Sequence, residues 1–184
     1  MVLVIVSLIS GIVLFAFQRV LDTRLRLAQF LDGSDTPVLI ESWFRDSIDG
    51  LVPDAKGGAD VFVGQPRRLT GLSVAPLNGM AGTPTRITWE IAYDGGAGRT
   101  YLRYQDSSAQ VLTVASWPDD RGNFRFCGPD LACYETWPPA DKMTEVPSLI
   151  LLNILKGTED WAILAAPRAD RDPPPPPPTL VKKP

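Results

Sequence analysis

The feature that most constrains this chain is an uninterrupted apolar stretch at its start. Residues 1–17 read MVLVIVSLISGIVLFAF and contain neither a charged side chain nor a proline. A helix of this length would rise about 26 Å, which is near the short end of the range that crosses a bilayer's hydrocarbon core. We therefore predict one transmembrane helix over residues 1–17, with the rest of the chain outside the bilayer.

A secretory signal peptide is the alternative interpretation of this stretch. It is disfavoured because no basic region precedes the apolar run and no A-x-A-like cleavage site follows it. Ser7 and Gly11 form a small-xxx-small pair, which lets another helix approach closely. The residues that we expect to pack against lipid or neighbouring helices are Val4, Ser7, Leu8, Gly11, Leu14 and Phe15.

An amphipathic helical extension is predicted over residues 18–52. On a helical wheel of residues 18–31, most charged and amide side chains lie on one side and an apolar stripe lies on the other. We interpret this stripe as a subunit interface made of Val20, Leu21, Arg24, Leu25, Ala28 and Leu31. Arg24 either snorkels, meets an acidic group on a neighbouring subunit or is simply solvated.

The helical pattern is interrupted and then restarts. Gly33-Ser34 weakens the helix, and Thr36-Pro37 is a good N-cap and first-turn pair. An apolar face that should pack on a sheet is formed by Ile40, Trp43, Phe44, Ile48 and Leu51.

Beyond Pro53 the apolar pattern changes to a period of two, which indicates strands. Asp94-Gly95-Gly96 is a hairpin signal. The candidate strands are residues 60–63, 69–74, 87–93, 100–104, 110–117, 123–127, 148–156 and 160–166. No long helical pattern separates them, so we predict an antiparallel meander in a β-rich domain of residues 53–168. The predicted fold class is α+β, a long N-terminal membrane-anchored helix packed on an antiparallel β-sheet.

A proline-rich tail of residues 169–184 follows this domain, with six consecutive prolines at 173–178. Such a run adopts an extended polyproline helix and has no core to join. We interpret the tail as a spacer or disordered segment, and the alternative is a ligand for a proline-reading domain.

The composition excludes several classes of function. The chain has no histidine, which removes imidazole-based catalysis and the commonest zinc ligand. Its net charge is −3, with 18 basic and 21 acidic side chains dispersed along the chain, so nucleic acid is not an expected partner. Asp119, Asp120 and Asp130 could serve a membrane-anchored periplasmic enzyme, but they lie near Pro and Gly in predicted turns, where Asp is common. We predict no enzyme activity, cofactor or metal site.

Two cysteines, Cys127 and Cys133, bracket a Gly-Pro-Asp-Leu-Ala segment. Their separation is too wide for a C-x-x-C redox pair, and no second pair exists for zinc. A turn at Gly-Pro-Asp could bring them within bridging range, so we favour a disulfide in an oxidising compartment, where it would contribute about 2–3 kcal/mol. Two unpaired thiols, which would suit a cytosolic domain, are the alternative.

Two regions of the sequence resemble the type IV pilin-like proteins, particularly the J-type minor pseudopilins of type II secretion. MVLVIVSLISGIVLFAF and its amphipathic continuation look like the pilin helix just downstream of the prepilin cleavage site. The ending FRFCGPDLACYETWPP, VPSLILLNIL and DWAILAAP resembles the J-type ending, with a strand, a Trp-containing turn and two apolar strands. The family's basic leader, cleavage glycine and early glutamate are not seen, and we expect the DNA upstream of Met1 to encode them.

The resemblance implies a structural role. The chain would be a single-pass inner-membrane protein with its globular domain in the periplasm. It would join I-type and K-type minor pseudopilins in the pseudopilus tip complex, help to initiate pseudopilus assembly for the export of folded proteins, and contact secreted cargo. A minor pilin of a type IV pilus or a competence system is the alternative within the same class.

Overall fold

The computed structural model describes residues 37–55, 58–78, 81–108, 110–139, 146–156 and 159–168. One helix and ten strands occur in these ranges. The helix is α1 (Pro37–Asp49). The strands are β1 (Leu51–Val52), β2 (Val63–Gln65), β3 (Arg68–Ser73), β4 (Thr85–Asp94), β5 (Arg99–Gln105), β6 (Val111–Pro118), β7 (Asn123–Cys127), β8 (Cys133–Tyr134), β9 (Leu149–Lys156) and β10 (Glu159–Ala165).

The first sheet is formed by β1 to β6. Strands β3 to β6 follow one another as an antiparallel meander, and β1 and β2 both pair with β3. Alternate residues of β4 are buried between 87 and 91, which is the period-two pattern of a sheet with one face on the core. The β4–β5 hairpin uses the predicted turn, because Asp94 Oδ1 accepts hydrogen bonds from the N–H groups of Gly96 (2.9 Å) and Ala97 (3.2 Å).

The second sheet has the strand order β10-β9-β7-β8. It differs from the single meander predicted from the sequence. The apolar strand β9 pairs with the whole of β7, from Asn123 to Cys127, whereas β8 pairs only with the last two residues of β7. Because β9 also pairs with β10, β9 and β7 are the two central strands of this sheet, and β8 and β10 lie at its edges.

The helix packs where the two sheets meet, and Phe44 shows this most directly. Its ring lies 5.4 Å from that of Trp89 on β4, in an edge-to-face arrangement. It also stacks on Phe124 of β7 at 6.2 Å between ring centroids. Both sheets therefore share one core with α1, and the helix contributes Ile40, Phe44, Ser47 and Ile48 to it.

A backbone junction also joins the sheets. Gly64 of β2 and Trp137 exchange two hydrogen bonds of 2.8 Å, each N–H donating to the other residue's carbonyl. The N–H of Phe124 donates to the carbonyl of Pro66 at 2.7 Å. The β2–β3 turn is thus fixed against the start of β7 and the Trp137 segment.

The predicted fold class is wrong. The described residues are mostly antiparallel strand, with a single helix of 13 residues, rather than a long N-terminal helix packed on a sheet. The predicted apolar face of the helix includes Leu51 because Ile48 and Leu51 are three residues apart, a spacing that fits a helical period. Gly50 ends the helix, and Leu51 is buried as the first residue of β1.

The predicted membrane location is also corrected. Within residues 37–168, as far as they are described, no helix combines the length and the apolarity needed to cross a bilayer. This finding contradicts the prediction of a single-pass inner-membrane protein with a periplasmic domain. The stretch on which that prediction was based, residues 1–17, lies outside the described ranges.

Candidate functional site

The segment between β7 and β8 is a short loop closed by a disulfide. Cys127 and Cys133 lie directly opposite each other in the β7–β8 pair, with Cα atoms 4.0 Å apart and a bond between their sulfur atoms. Cys127 is fully buried, whereas Cys133 is exposed. We call residues 128–132 the disulfide loop.

Hydrogen bonds fix the conformation of the disulfide loop from inside. The N–H of Gly128 donates to the carbonyl of Ala132 (2.9 Å), and the N–H of Leu131 donates to the carbonyl of Gly128 (3.1 Å). Asp130 Oδ1 accepts a hydrogen bond from the N–H of Ala132 at 3.2 Å. With the covalent closure, these bonds leave the loop little conformational freedom.

Leu131 is the unusual residue of the loop. Its φ is +61°, a left-handed conformation that residues other than glycine, asparagine and aspartate seldom adopt. Its side chain is 74% exposed, the largest exposure among the big apolar side chains that the structure describes. The loop therefore holds an apolar side chain in water, next to the buried end of β7.

Hydrogen bonds and ring contacts hold the residues on both sides of the disulfide loop. The N–H of Ser148 donates to the carbonyl of Cys127 at 2.8 Å, just before β9 begins. On the other side, the rings of Tyr134 and Trp137 meet edge to face at 6.2 Å. Trp137 is buried and bonded to Gly64 of the first sheet, so the loop projects from a fixed base.

The other residues that the sequence singled out are not brought together. Asp119 and Asp120 lie in the turn after β6, where Asp120 pairs with Arg67, and Asp130 belongs to the disulfide loop. No group of three metal-ligating side chains occurs among the described residues. The remaining predicted site residues lie outside the described ranges: Val4, Ser7, Leu8, Gly11, Leu14, Phe15, Val20, Leu21, Arg24, Leu25, Ala28 and Leu31.

A second surface feature is a polar cleft at one end of the first sheet. It has a volume of about 210 Å³ and is lined by Arg68, Arg86, Thr88, Gln105, Asp106 and Ser107. Next to it along β5 is the fully buried Tyr104. The pKa of the Tyr104 hydroxyl is raised to about 12, mainly by burial. The charge of Asp106 also raises this pKa, whereas the N–H of Leu77, which donates to the hydroxyl oxygen at 3.0 Å, lowers it.

Sequence reasoning missed both Leu131 and the cleft. A single leucine in a turn has no periodic signal, and the only hint was its position between two closely spaced cysteines. The cleft draws on three strands whose register the sequence does not specify.

Neither the known protein families nor the curated proteins provide a relative of this chain. No model of a known protein family matches the chain, and no curated protein matches it at a significant level. A function for this chain therefore rests on its own residues and geometry.

Proposed function

We propose that this chain is a structural subunit, a J-type minor pseudopilin in the pseudopilus tip complex of a type II secretion system. In this role it binds I-type and K-type minor pseudopilins and helps to initiate pseudopilus assembly for the export of folded proteins. One observation carries the proposal. The C-terminal segment that resembles the J-type ending supplies all four strands of the second sheet, β7 to β10.

Each part of that segment has a structural role in the sheet, which supports its interpretation as one motif. FRFC forms β7, and its two phenylalanines are fully buried. The Trp-containing turn places Trp137 against Gly64, and Val146 and Pro147 are buried just before β9. The proposal rests on this segment and not on the helix that the sequence predicted.

Leu131 is the residue that we assign to the contact with a partner subunit. Burying a leucine side chain contributes about 1.5–3 kcal/mol, so its loss from a small interface should measurably weaken binding. A loop that is already ordered loses little entropy on binding. The disulfide loop meets both conditions, since it is hydrogen-bonded internally and exposes Leu131 to solvent.

The test replaces Leu131 by asparagine. Asparagine tolerates a left-handed φ, so Leu131→Asn should leave the domain as stable as the wild type while removing the apolar contact. We expect co-purification with co-expressed I-type and K-type partners to fall by about tenfold or more, the equivalent of about 1.4 kcal/mol. Circular dichroism melting of the purified chain checks that folding is unchanged.

Val111→Asn is the matched control, because Val111 is also exposed (53%) but belongs to β6 of the first sheet. This variant should co-purify as the wild type does. An equal loss in both variants, or no loss in Leu131→Asn, would reject the assigned contact. Failure of the wild-type chain to bind either partner would reject the proposed function itself.

A further inference from the structure

The polar cleft of the first sheet concentrates hydrogen-bond donors. In the antiparallel register, Thr70 of β3 lies opposite Thr88 of β4. Arg68 and Arg86 each precede one of these threonines by two residues, so the two arginines lie on either side of the threonine pair. On the other side of β4, Thr88 lies opposite Gln105 of β5. Guanidinium, hydroxyl and amide groups thus line one small volume.

The positive charges of Arg68 and Arg86 are accessible to an anionic ligand. Arg68 makes no ion pair within the described part of the chain, although Glu90 lies opposite it in the sheet. Arg86 pairs with Asp60 at 3.2 Å, but its side chain is still 59% exposed. Arginine binds carboxylates and phosphates through several N–H donors at once, so both anions are candidate ligands.

Asp106 distinguishes between these anions. It is only 6% exposed, and its Oδ1 accepts a hydrogen bond from the N–H of Ser108 at 2.8 Å, which orders the turn that carries Ser107. Its Oδ2 has no hydrogen-bond partner in the described structure. No cation forms an ion pair with this carboxylate among the described residues, so its negative charge lowers the positive potential that Arg68 and Arg86 give the cleft. A singly charged anion is favoured over a doubly charged one.

We propose that this cleft binds a peptide carboxylate, from either an acidic side chain or a carboxyl terminus. Arg68 and Arg86 hold the carboxylate from its two sides, and Thr88, Gln105 and Ser107 supply the remaining donors. The cleft, with a volume of about 210 Å³, accommodates one acidic side chain or a peptide carboxyl terminus. The inference is independent of the proposed tip-complex function, because it concerns the other sheet.

The experiment follows backbone amide shifts of the isotope-labelled full-length chain by NMR during titration. The probes are acetyl-Ala-Glu-amide, the neutral acetyl-Ala-Gln-amide, acetyl-Ala-Ala with a free carboxyl terminus, and inorganic phosphate. We expect the glutamate peptide or the free carboxyl terminus to shift cleft amides at about 10 mM or below, and the neutral peptide to leave them unchanged. The stronger of the two carboxylate probes identifies the source of the carboxylate.

Substitutions test the roles of the lining residues. Arg68→Gln should weaken carboxylate binding by about tenfold. Arg99→Gln is the matched control, since Arg99 is an exposed arginine of β5 that bonds Ser116 at 2.8 Å and does not line the cleft; it should bind as the wild type does. Asp106→Asn keeps an acceptor for Ser108 and removes the charge, so phosphate binding should strengthen relative to carboxylate binding.

Three results would overturn the proposal. They are the absence of shifts with both carboxylate probes, equal binding of the neutral peptide, and equal weakening by Arg68→Gln and Arg99→Gln. An unchanged ratio of phosphate to carboxylate affinity in a folded Asp106→Asn protein would remove the argument for a singly charged ligand. Arg68 is exposed, so its variant tests the cleft even if the Asp106 variant does not fold.

Discussion

At the scale of single residues, the hydroxyl groups of the buried Ser47 and Ser73 both have hydrogen-bond partners. Ser47 Oγ donates to the carbonyl of Phe44 at 2.9 Å and accepts from the indole N–H of Trp89 at 3.0 Å. Ser73 Oγ donates to the carbonyl of Ser47 at 2.8 Å and accepts from the N–H of Ala75 at 3.1 Å. This chain of hydrogen bonds connects α1 to β3 and β4 inside the core, where Ser47, Ser73 and Trp89 are all fully buried.

Ser47→Ala should therefore destabilise the domain by more than the loss of one oxygen atom suggests. The variant leaves the buried indole N–H of Trp89 without its acceptor, which lowers the free energy of unfolding by about 1–3 kcal/mol. Ser42→Ala is the control, because Ser42 is exposed on the same helix and its hydroxyl donates to Asp46 Oδ2 at 3.2 Å. The free energy of unfolding of this variant should stay within about 0.5 kcal/mol of the wild-type value. Urea unfolding measures both. A Ser47 variant as stable as the wild type would show that the network does not support the core.

At the scale of elements, the end of α1 is set by close packing. An alanine Cβ placed at Gly50 would lie 2.7 Å from Cβ of Ala75 and 2.8 Å from Oγ of Ser73. Only a residue without a side chain lets the chain leave the helix and enter β1 here. The N–H of Val74 donates to the carbonyl of Gly50 at 2.8 Å, so the same residue also holds the edge of the sheet.

Gly50→Ala should accordingly destabilise the domain by about 1–3 kcal/mol, as overpacking of a dense interior does. The matched control is Gly95→Ala in the β4–β5 hairpin, where a Cβ would meet nothing closer than Tyr93 at 3.8 Å. That variant should change stability by no more than about 0.5 kcal/mol. Thermal melting measures the stability of both variants. Equal melting temperatures would mean that the end of α1 relaxes to accommodate the added Cβ.

The same elements show how far the sequence can be interpreted. The strands around 87–93 and 100–104 and the start of the helix at Pro37 follow local sequence signals, namely apolar alternation and a proline suited to the first helical turn, which act within a few residues. The division into two sheets and the central position of β9 depend on pairing between distant segments, which leaves no local pattern. The cleft was missed for the same reason, since Arg68, Thr88 and Gln105 meet only through the register of three strands.

At the scale of the whole molecule, the two candidate surfaces lie on different sheets that share one core. The disulfide loop extends from β7, while the cleft belongs to β3, β4 and β5. The end of the described chain is also tied to the helix, because Arg168 pairs with Asp49 at 2.7 Å and its N–H donates to the carbonyl of Asp49. The two surfaces have no residue in common, and we expect a change confined to the disulfide loop to leave the cleft intact.

Removal of the disulfide tests this separation. The double variant Cys127→Ala, Cys133→Ala should lose about 2–3 kcal/mol, because the unfolded chain is no longer restricted by the small closed loop. The core residues Phe124 and Phe126 stay buried, so the domain should still fold. Partner binding through Leu131 should weaken, since the released loop no longer fixes that side chain, whereas the carboxylate affinity of the cleft should not change.

Unfolding in urea with and without a reducing agent provides the measurement. The free energy of unfolding of the wild type should fall by about the same 2–3 kcal/mol on reduction. The stability of the double variant should not depend on the reducing agent. Partner pull-down and peptide titration on the same samples then separate the two surfaces. If reduction weakened peptide binding in the cleft as much as partner binding, the two sheets would respond as a single unit, and Leu131 could not be assigned a local role.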